Sequence, residues 1–213
     1  MDPRIREHAR IIVDHSVELS EGENVVIDAH PVAEDLVTAL HEEIARVGGK
    51  PLVVTDRLGK RFRRAYIRNH DGEFQTPEHV LALFEEMDAY IAIRGSDNVT
   101  EESDIDGEAQ SAYDRAHQPL LDERLSKQWC LTQHPTAANA QLAEMSTEAY
   151  ADFVYDALNK DWAAVYEHQQ QMVDILDGAD EVRVVSGDTT DVTMSVAGNP
   201  TMNDDAEHNL PGG

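Results

Sequence analysis

Short, mainly apolar runs alternate in this chain with stretches whose apolar residues recur every three or four positions. The runs are Asn24-Val25-Val26-Ile27-Asp28-Ala29, Pro51-Leu52-Val53-Val54-Thr55, Ala89-Tyr90-Ile91-Ala92-Ile93 and Trp129-Cys130-Leu131-Thr132. A strand apolar at successive positions has both faces buried, and a sheet buried on both faces is covered by helices on both sides. The intervening stretches supply those helices. Asp2 caps and Pro3 opens the first, with Ile5, Ala9, Ile12, Val13 and Val17 on one face. Pro31 opens the second, which carries Val32, Leu36, Val37, Leu40, Ile44 and Val47 and ends at Gly48-Gly49. Thr76-Pro77 starts a third with Val80, Leu81, Leu83, Phe84 and Met87, and a further helical stretch spans Gly107 to Leu125. Strict alternation of this kind predicts an α/β fold with an open, mainly parallel sheet.

From Ser146 to Leu176 the pattern is helical throughout, with Tyr150, Phe153, Val154, Ala157, Leu158, Trp162, Val165, Met172, Val173 and Leu176 on its apolar face and a break expected at Asn159-Lys160-Asp161. After Asp177-Gly178 the character changes. Val182-Arg183-Val184-Val185-Ser186, a turn at Gly187-Asp188, and Thr190-Asp191-Val192-Thr193-Met194-Ser195-Val196 read as a β-hairpin. Residues 1–178 are therefore assigned to an N-terminal α/β domain and residues 179–213 to the beginning of a second, truncated domain. A hairpin alone buries little, so the carboxyl-terminal end looks unfinished.

Charge narrows the function. Asp and Glu number 42 against 17 Lys and Arg, a net charge of −25, yet 41% of residues are hydrophobic. Disordered acidic tails lack such an apolar share, so the chain folds. It repels itself in dilute salt, a composition similar to cytosolic proteins of salt-loving archaea. Nucleic acid and anionic membrane are disfavoured partners because both are negative. Met1-Asp2-Pro3-Arg4 begins no signal peptide, and no apolar stretch is long enough for a membrane span, so a cytoplasmic location is expected. The lone Cys130 cannot form an internal disulfide and reads as a small buried apolar side chain; Asn98-Val99-Thr100 is a chance glycosylation pattern.

Ligands of open parallel sheets gather at the carboxyl ends of the strands. Those ends carry Asp28 and His30, Asp56 and Arg57, Arg94, Ser96 and Asp97, and Gln133 and His134. No GxGxxG follows the first strand, and GxxxxGK[ST], HExxH, GxSxG and zinc-type Cys/His spacings are absent. Arg57-Leu58-Gly59-Lys60-Arg61-Phe62-Arg63-Arg64 is a basic island that could receive a carboxylate or phosphate, or form a helix face paired with local acids. Asp204, Asp205, Glu207 and His208 could bind a divalent ion, although near-consecutive ligands converge only in a tight loop.

Ordered blocks carry a more specific signal. Arg124-Leu125-Ser126-Lys127-Gln128-Trp129-Cys130-Leu131-Thr132-Gln133-His134-Pro135-Thr136 resembles a segment of the M29 metalloaminopeptidases. So do Asn139-Ala140-Gln141-Leu142-Ala143-Glu144-Met145-Ser146 with Tyr150-Ala151-Asp152-Phe153, Gly187 to Gly198, and Asn203-Asp204 through Asn209-Leu210-Pro211-Gly212-Gly213. With the first helix and Glu21-Gly22-Glu23-Asn24-Val25-Val26, the similarity covers essentially the whole chain; His134 departs from the Tyr common in the family. The resemblance, of the thermophilic aminopeptidase T or AmpS type, implies an enzyme that removes N-terminal amino acids from peptides. It implies two divalent ions (Zn, Co or Mg) and a homodimer. The family's ligands are two Glu, two His, a Tyr and an Asp in the C-terminal domain, and the first Glu directly follows the block that ends here at Gly213. No ligand of the family maps onto these residues, so no bound metal and no activity are expected of this chain alone. His30, Arg94 and His134 are the candidates for lining the substrate cavity. The alternatives are a non-enzymatic α/β domain that binds a small ligand or protein partner at the strand ends, and a nucleotide-dependent enzyme with a degenerate phosphate loop.

Overall fold

The computed structural model describes residues 1–55 and 60–212. Helix α1 (Pro3–Ile11) starts where the Asp2 carboxylate accepts from the Arg4 amide at 2.9 Å and Pro3 takes the first helical position. It runs into a wider π-type turn over Ile12–Ser16, closed by Val17 N–H on the Ile12 carbonyl at 3.0 Å. Strand β1 (Asn24–Ala29) follows, then a 3-10 turn at Pro31–Ala33 and α2 (Glu34–Val47). Gly48 ends α2 with φ +83°, the left-handed backbone that glycine adopts without strain. Strand β2 (Lys50–Val54) precedes α3 (Lys60–Asn69), α4 (Glu78–Glu86) and β3 (Ala89–Arg94).

The helical stretch expected from Gly107 to Leu125 is two helices, α5 (Gly107–Ala116) and α6 (Gln118–Leu125). Pro119 lacks an amide hydrogen and so cannot continue the α5 hydrogen-bond ladder, and it suits the first turn of a new helix that starts after His117. Strand β4 (Gln128–Gln133) leads to α7 (Ala137–Leu142), α8 (Thr147–Leu158) and α9 (Trp162–Leu176), with α8 and α9 separated where the sequence predicts a break. Strands β5 (Glu181–Ser186) and β6 (Thr190–Ser195) form the expected antiparallel hairpin. Its apolar side chains, among them Val185 at 61% exposure, lie open among the described residues.

The main sheet has the order β2-β1-β3-β4-β7, every pairing parallel. Alternate residues of the central strands face opposite helical layers, as double-sided apolar strands require. Ile27, Ile91, Ile93 and Cys130 join α1, α2 and α8 on one side, while Val26, Tyr90 and Ala92 meet Phe84 and Leu120 from α4 and α6 on the other. The chain leaves β1 toward β2 on one side and returns to β3 on the other, so the strand order reverses between β1 and β3. The π-type turn also packs beneath β4, where Ser16 touches the Cys130 thiol; burial pushes that thiol up to about 12.

Four strands of this sheet are expected from the sequence; the fifth, β7 (Asn209–Leu210), is new. Residues that the sequence reading groups with the hairpin return to the first sheet. Leu131 N–H donates to the His208 carbonyl at 2.8 Å, and Leu210 and Ala206 are buried in the core shared with α1 and α2. Gly212 fits only as glycine. A Cβ there would stand 2.6 Å from the Asp204 carbonyl oxygen and 3.1 Å from the Ala206 Cα. The turn over 204–206 thus holds the chain against the sheet edge. No helix among the described residues is long and apolar enough to cross a membrane.

Candidate functional site at the carboxyl edge of the sheet

Parallel pairing puts every strand's carboxyl end on one edge, and the reversal of strand order opens a crevice there. His30 follows β1, Arg94 ends β3, and His134 follows β4. Register brings them together: Ala29 pairs with Ile93, Arg94 with Gln133, and His134 N–H donates to the Arg94 carbonyl at 2.7 Å. Gly95 is packed among Val32, Thr136 and His134, so the crevice floor is closely built.

His30 accepts the Val32 amide at Nδ1 (3.2 Å), which leaves the proton on Nε2, 3.5 Å from Asp97 Oδ1 across the β1–β3 junction. His134 is largely buried, and burial pushes its pKa down with Asp35 partly opposing; its Nδ1 has no hydrogen-bond partner. Arg94 lines a cavity of about 270 Å³ with Lys60, Ser96, Val99, Gln133 and Asn139. His30 and His134 flank this cavity rather than line it. Lys60 and Asn139 are the members that strand-end reasoning passes over. Lys60 arrives through the first turn of α3, which leaves the sheet at the carboxyl end of β2, and Asn139 through the capping turn of α7.

A second group lies beneath the same edge. His8 is fully buried and held to a pKa of about 3, first by burial and then by its neighbour His134. Its Nε2 stands 2.7 Å from Thr132 Oγ1, and that hydroxyl donates to the Leu210 carbonyl at 3.0 Å. The hydroxyl's single proton is used on Leu210, so His8 donates from Nε2 and its Nδ1 is a bare acceptor. This chain of bonds ties α1 to β4 and to the returning strand β7. Asp28, also at the edge, is buried and accepts from the Tyr90 hydroxyl at 2.7 Å.

Within the described part of the basic island, Arg63 and Arg64 form a helix face paired with acids, whereas Lys60 turns to the cavity beside Arg94. Arg63 binds Glu102 at 2.6 Å, and Arg64 and Arg68 share Asp104. Asp56, Arg57, Leu58 and Gly59 lie outside the described residues. Asp204, Asp205, Glu207 and His208 do not meet at one point. The His208 ring stacks on Trp129 with centroids 4.5 Å apart, and the Asp205 carbonyl bonds the His15 ring at 2.7 Å. Among the described residues no three His, Cys, Asp or Glu side chains are grouped to hold a metal ion.

An open parallel sheet covered by helices on both faces, with its strand order reversing between β1 and β3, is an α/β fold of the doubly wound class. The sequence matches the family of thermophilic metalloproteases (M29) over residues 1–212, and the chain belongs to that family. Its fold is similar to that of wild-type AmpT from Thermus thermophilus, with a TM-score of 0.74 at 21% sequence identity. The match covers 99% of this chain and 60% of AmpT, so these 213 residues span about three-fifths of that relative. No curated protein matches the chain.

Proposed function

We propose that this chain is the N-terminal part of a dinuclear metal-dependent aminopeptidase that releases N-terminal amino acids from peptides. Membership of the M29 family supports a divalent-metal peptidase, and the coverage of three-fifths of AmpT supports a missing carboxyl-terminal portion. The single observation that carries the reading is the course of residues 203–212. They return to the sheet as β7, parallel to β4, so the chain emerges at the crevice edge beside Gln133 and His134. The resemblance puts the family's first metal-binding Glu directly after the Asn209-to-Gly213 block, and the course of β7 supports its entering beside that crevice.

Among the described residues no metal site is assembled, so no catalytic step is assigned to them. Their part is structural and recognitive. The His8–Thr132–Leu210 bonds hold the exit strand in register, and His30, Arg94 and His134 form one wall of the substrate cavity. The proposal extends to a homodimer working in a salt-rich cytoplasm, consistent with the net charge of −25. Hydrolysis of amino-acid p-nitroanilides in molar KCl with Co²⁺ or Zn²⁺ tests it. Activity is expected from a longer chain that runs on past Gly213 and not from residues 1–213. An inactive longer chain, or an active short one, refutes the reading.

A further inference from the structure

The cavity between the carboxyl ends of β3 and β4 has a charge opposite to that of the rest of the protein. Carboxylates outnumber cations 42 to 17 in the sequence, yet none lines this cavity among the described residues, whereas Arg94 and Lys60 do. Most other arginines are committed: Arg4, Arg10, Arg46, Arg63, Arg64, Arg68 and Arg183 all hold carboxylates. The Arg94 guanidinium holds none among the described residues, and Lys60 Nζ reaches only the Val99 carbonyl at 3.5 Å. Asn139 adds a neutral donor. Its Oδ1 accepts from Thr136 Oγ1 at 2.5 Å, which leaves the Nδ2 hydrogens unused.

We infer that this cavity receives a carboxylate, the C-terminal end of a short peptide substrate. A guanidinium fork matches the planar two-oxygen geometry of a carboxylate, and an ammonium and an amide donor complete the shell. Phosphate fits less well, because phosphate cradles are built from free backbone amides. Here the Asn139 amide is already taken by Thr136 Oγ1 and the Asn98 amide by Ser96 Oγ. A space of about 270 Å³ accommodates the end of a peptide rather than a whole cofactor. The inference rests on the peptidase reading for the identity of the ligand, and the site's chemistry stands apart from turnover.

The test is an NMR titration of the ¹⁵N-labelled 213-residue chain at fixed KCl with triglycine, triglycine amide and acetylglycylglycine. Triglycine is expected to bind about tenfold more tightly than its amide, with shifts at Gly95, Ser96 and Asn139. Arg94→Gln removes that preference while the rest of the spectrum is unchanged, since Arg94 holds no ion pair among the described residues. Equal affinity for acid and amide, retention of the preference in Arg94→Gln, or no saturable shift with any of the three overturns the inference. Binding of acetylglycylglycine with the same Arg94 dependence supports it, since that probe keeps the carboxylate and lacks a free amine. No hydrolysis is read, so failure of the peptidase reading shows in the p-nitroanilide assay and not here.

Discussion

Replacing His8 by glutamine flattens the loss of stability that acid causes in this domain. His8 has an ordinary value of 6.5 when the chain is unfolded and about 3 when folded, because its buried ring cannot be charged without losing solvation. The unfolded state therefore binds the extra proton between those values. Stability is fully present above pH 6.5 and falls as the pH drops toward 3, by up to about 1.4 kcal/mol per unit. Between pH 7 and pH 5 this single group removes about 2 kcal/mol, roughly 4–8 °C in midpoint for a domain of this size. Glutamine keeps an N–H donor for Thr132 and does not titrate. Urea or thermal unfolding from pH 5 to 8 at fixed KCl should show a wild-type curve that falls more steeply than that of His8→Gln by this amount. The difference between the two cancels the contribution of the carboxylates. Parallel curves would refute the reasoning, because they would mean that His8 charges freely in the fold.

Unfolding midpoints should rise with KCl into the molar range, since screening relieves the repulsion of 25 excess negative charges more than it weakens surface ion pairs such as Arg64–Asp104. A midpoint independent of KCl would contradict this. Cys130 should resist thiol reagents in the native protein and react on unfolding, because its buried thiol is held up to about 12; labelling with a chromogenic disulfide at pH 8 checks it. Gly212→Ala should destabilise by about 1–3 kcal/mol in urea, because its methyl group has to displace the 204–206 turn or β7; an unchanged midpoint would show that β7 is not held there.

The sheet could be read from the sequence because its central strands are apolar at both parities. Val25-Val26-Ile27 and Tyr90-Ile91-Ala92-Ile93 have to be covered on two sides, and helices with clear apolar faces stand between them. Cys130 and the strand-end trio of His30, Arg94 and His134 follow from the same logic, since parallel strands collect their exits on one edge. The return of β7 could not be read in this way. Asn209-Leu210 is two residues long in a polar, acidic stretch, and only the partners it meets, Leu131 and Thr132, show that it is a strand. The His8–Thr132 pair escaped for a similar reason. A histidine on an apolar helix face shows nothing of its partner 124 residues away. The cavity's charge is likewise a property of assembly, because Lys60 and Arg94 sit on different elements and meet only once β2 and β3 are placed around β1.

We propose that these residues form the scaffold and recognition wall of an M29 peptidase whose metal ions are held outside them. The most direct test is the metal content of the purified chain after equilibration with Zn²⁺ or Co²⁺ in KCl and exhaustive dialysis. No stoichiometrically retained ion is expected, and the spectrum should lack Co²⁺ d–d bands. A retained ion that is lost when Asp205 and His208 are replaced by alanine would contradict this and restore Asp204 to His208 as a metal site.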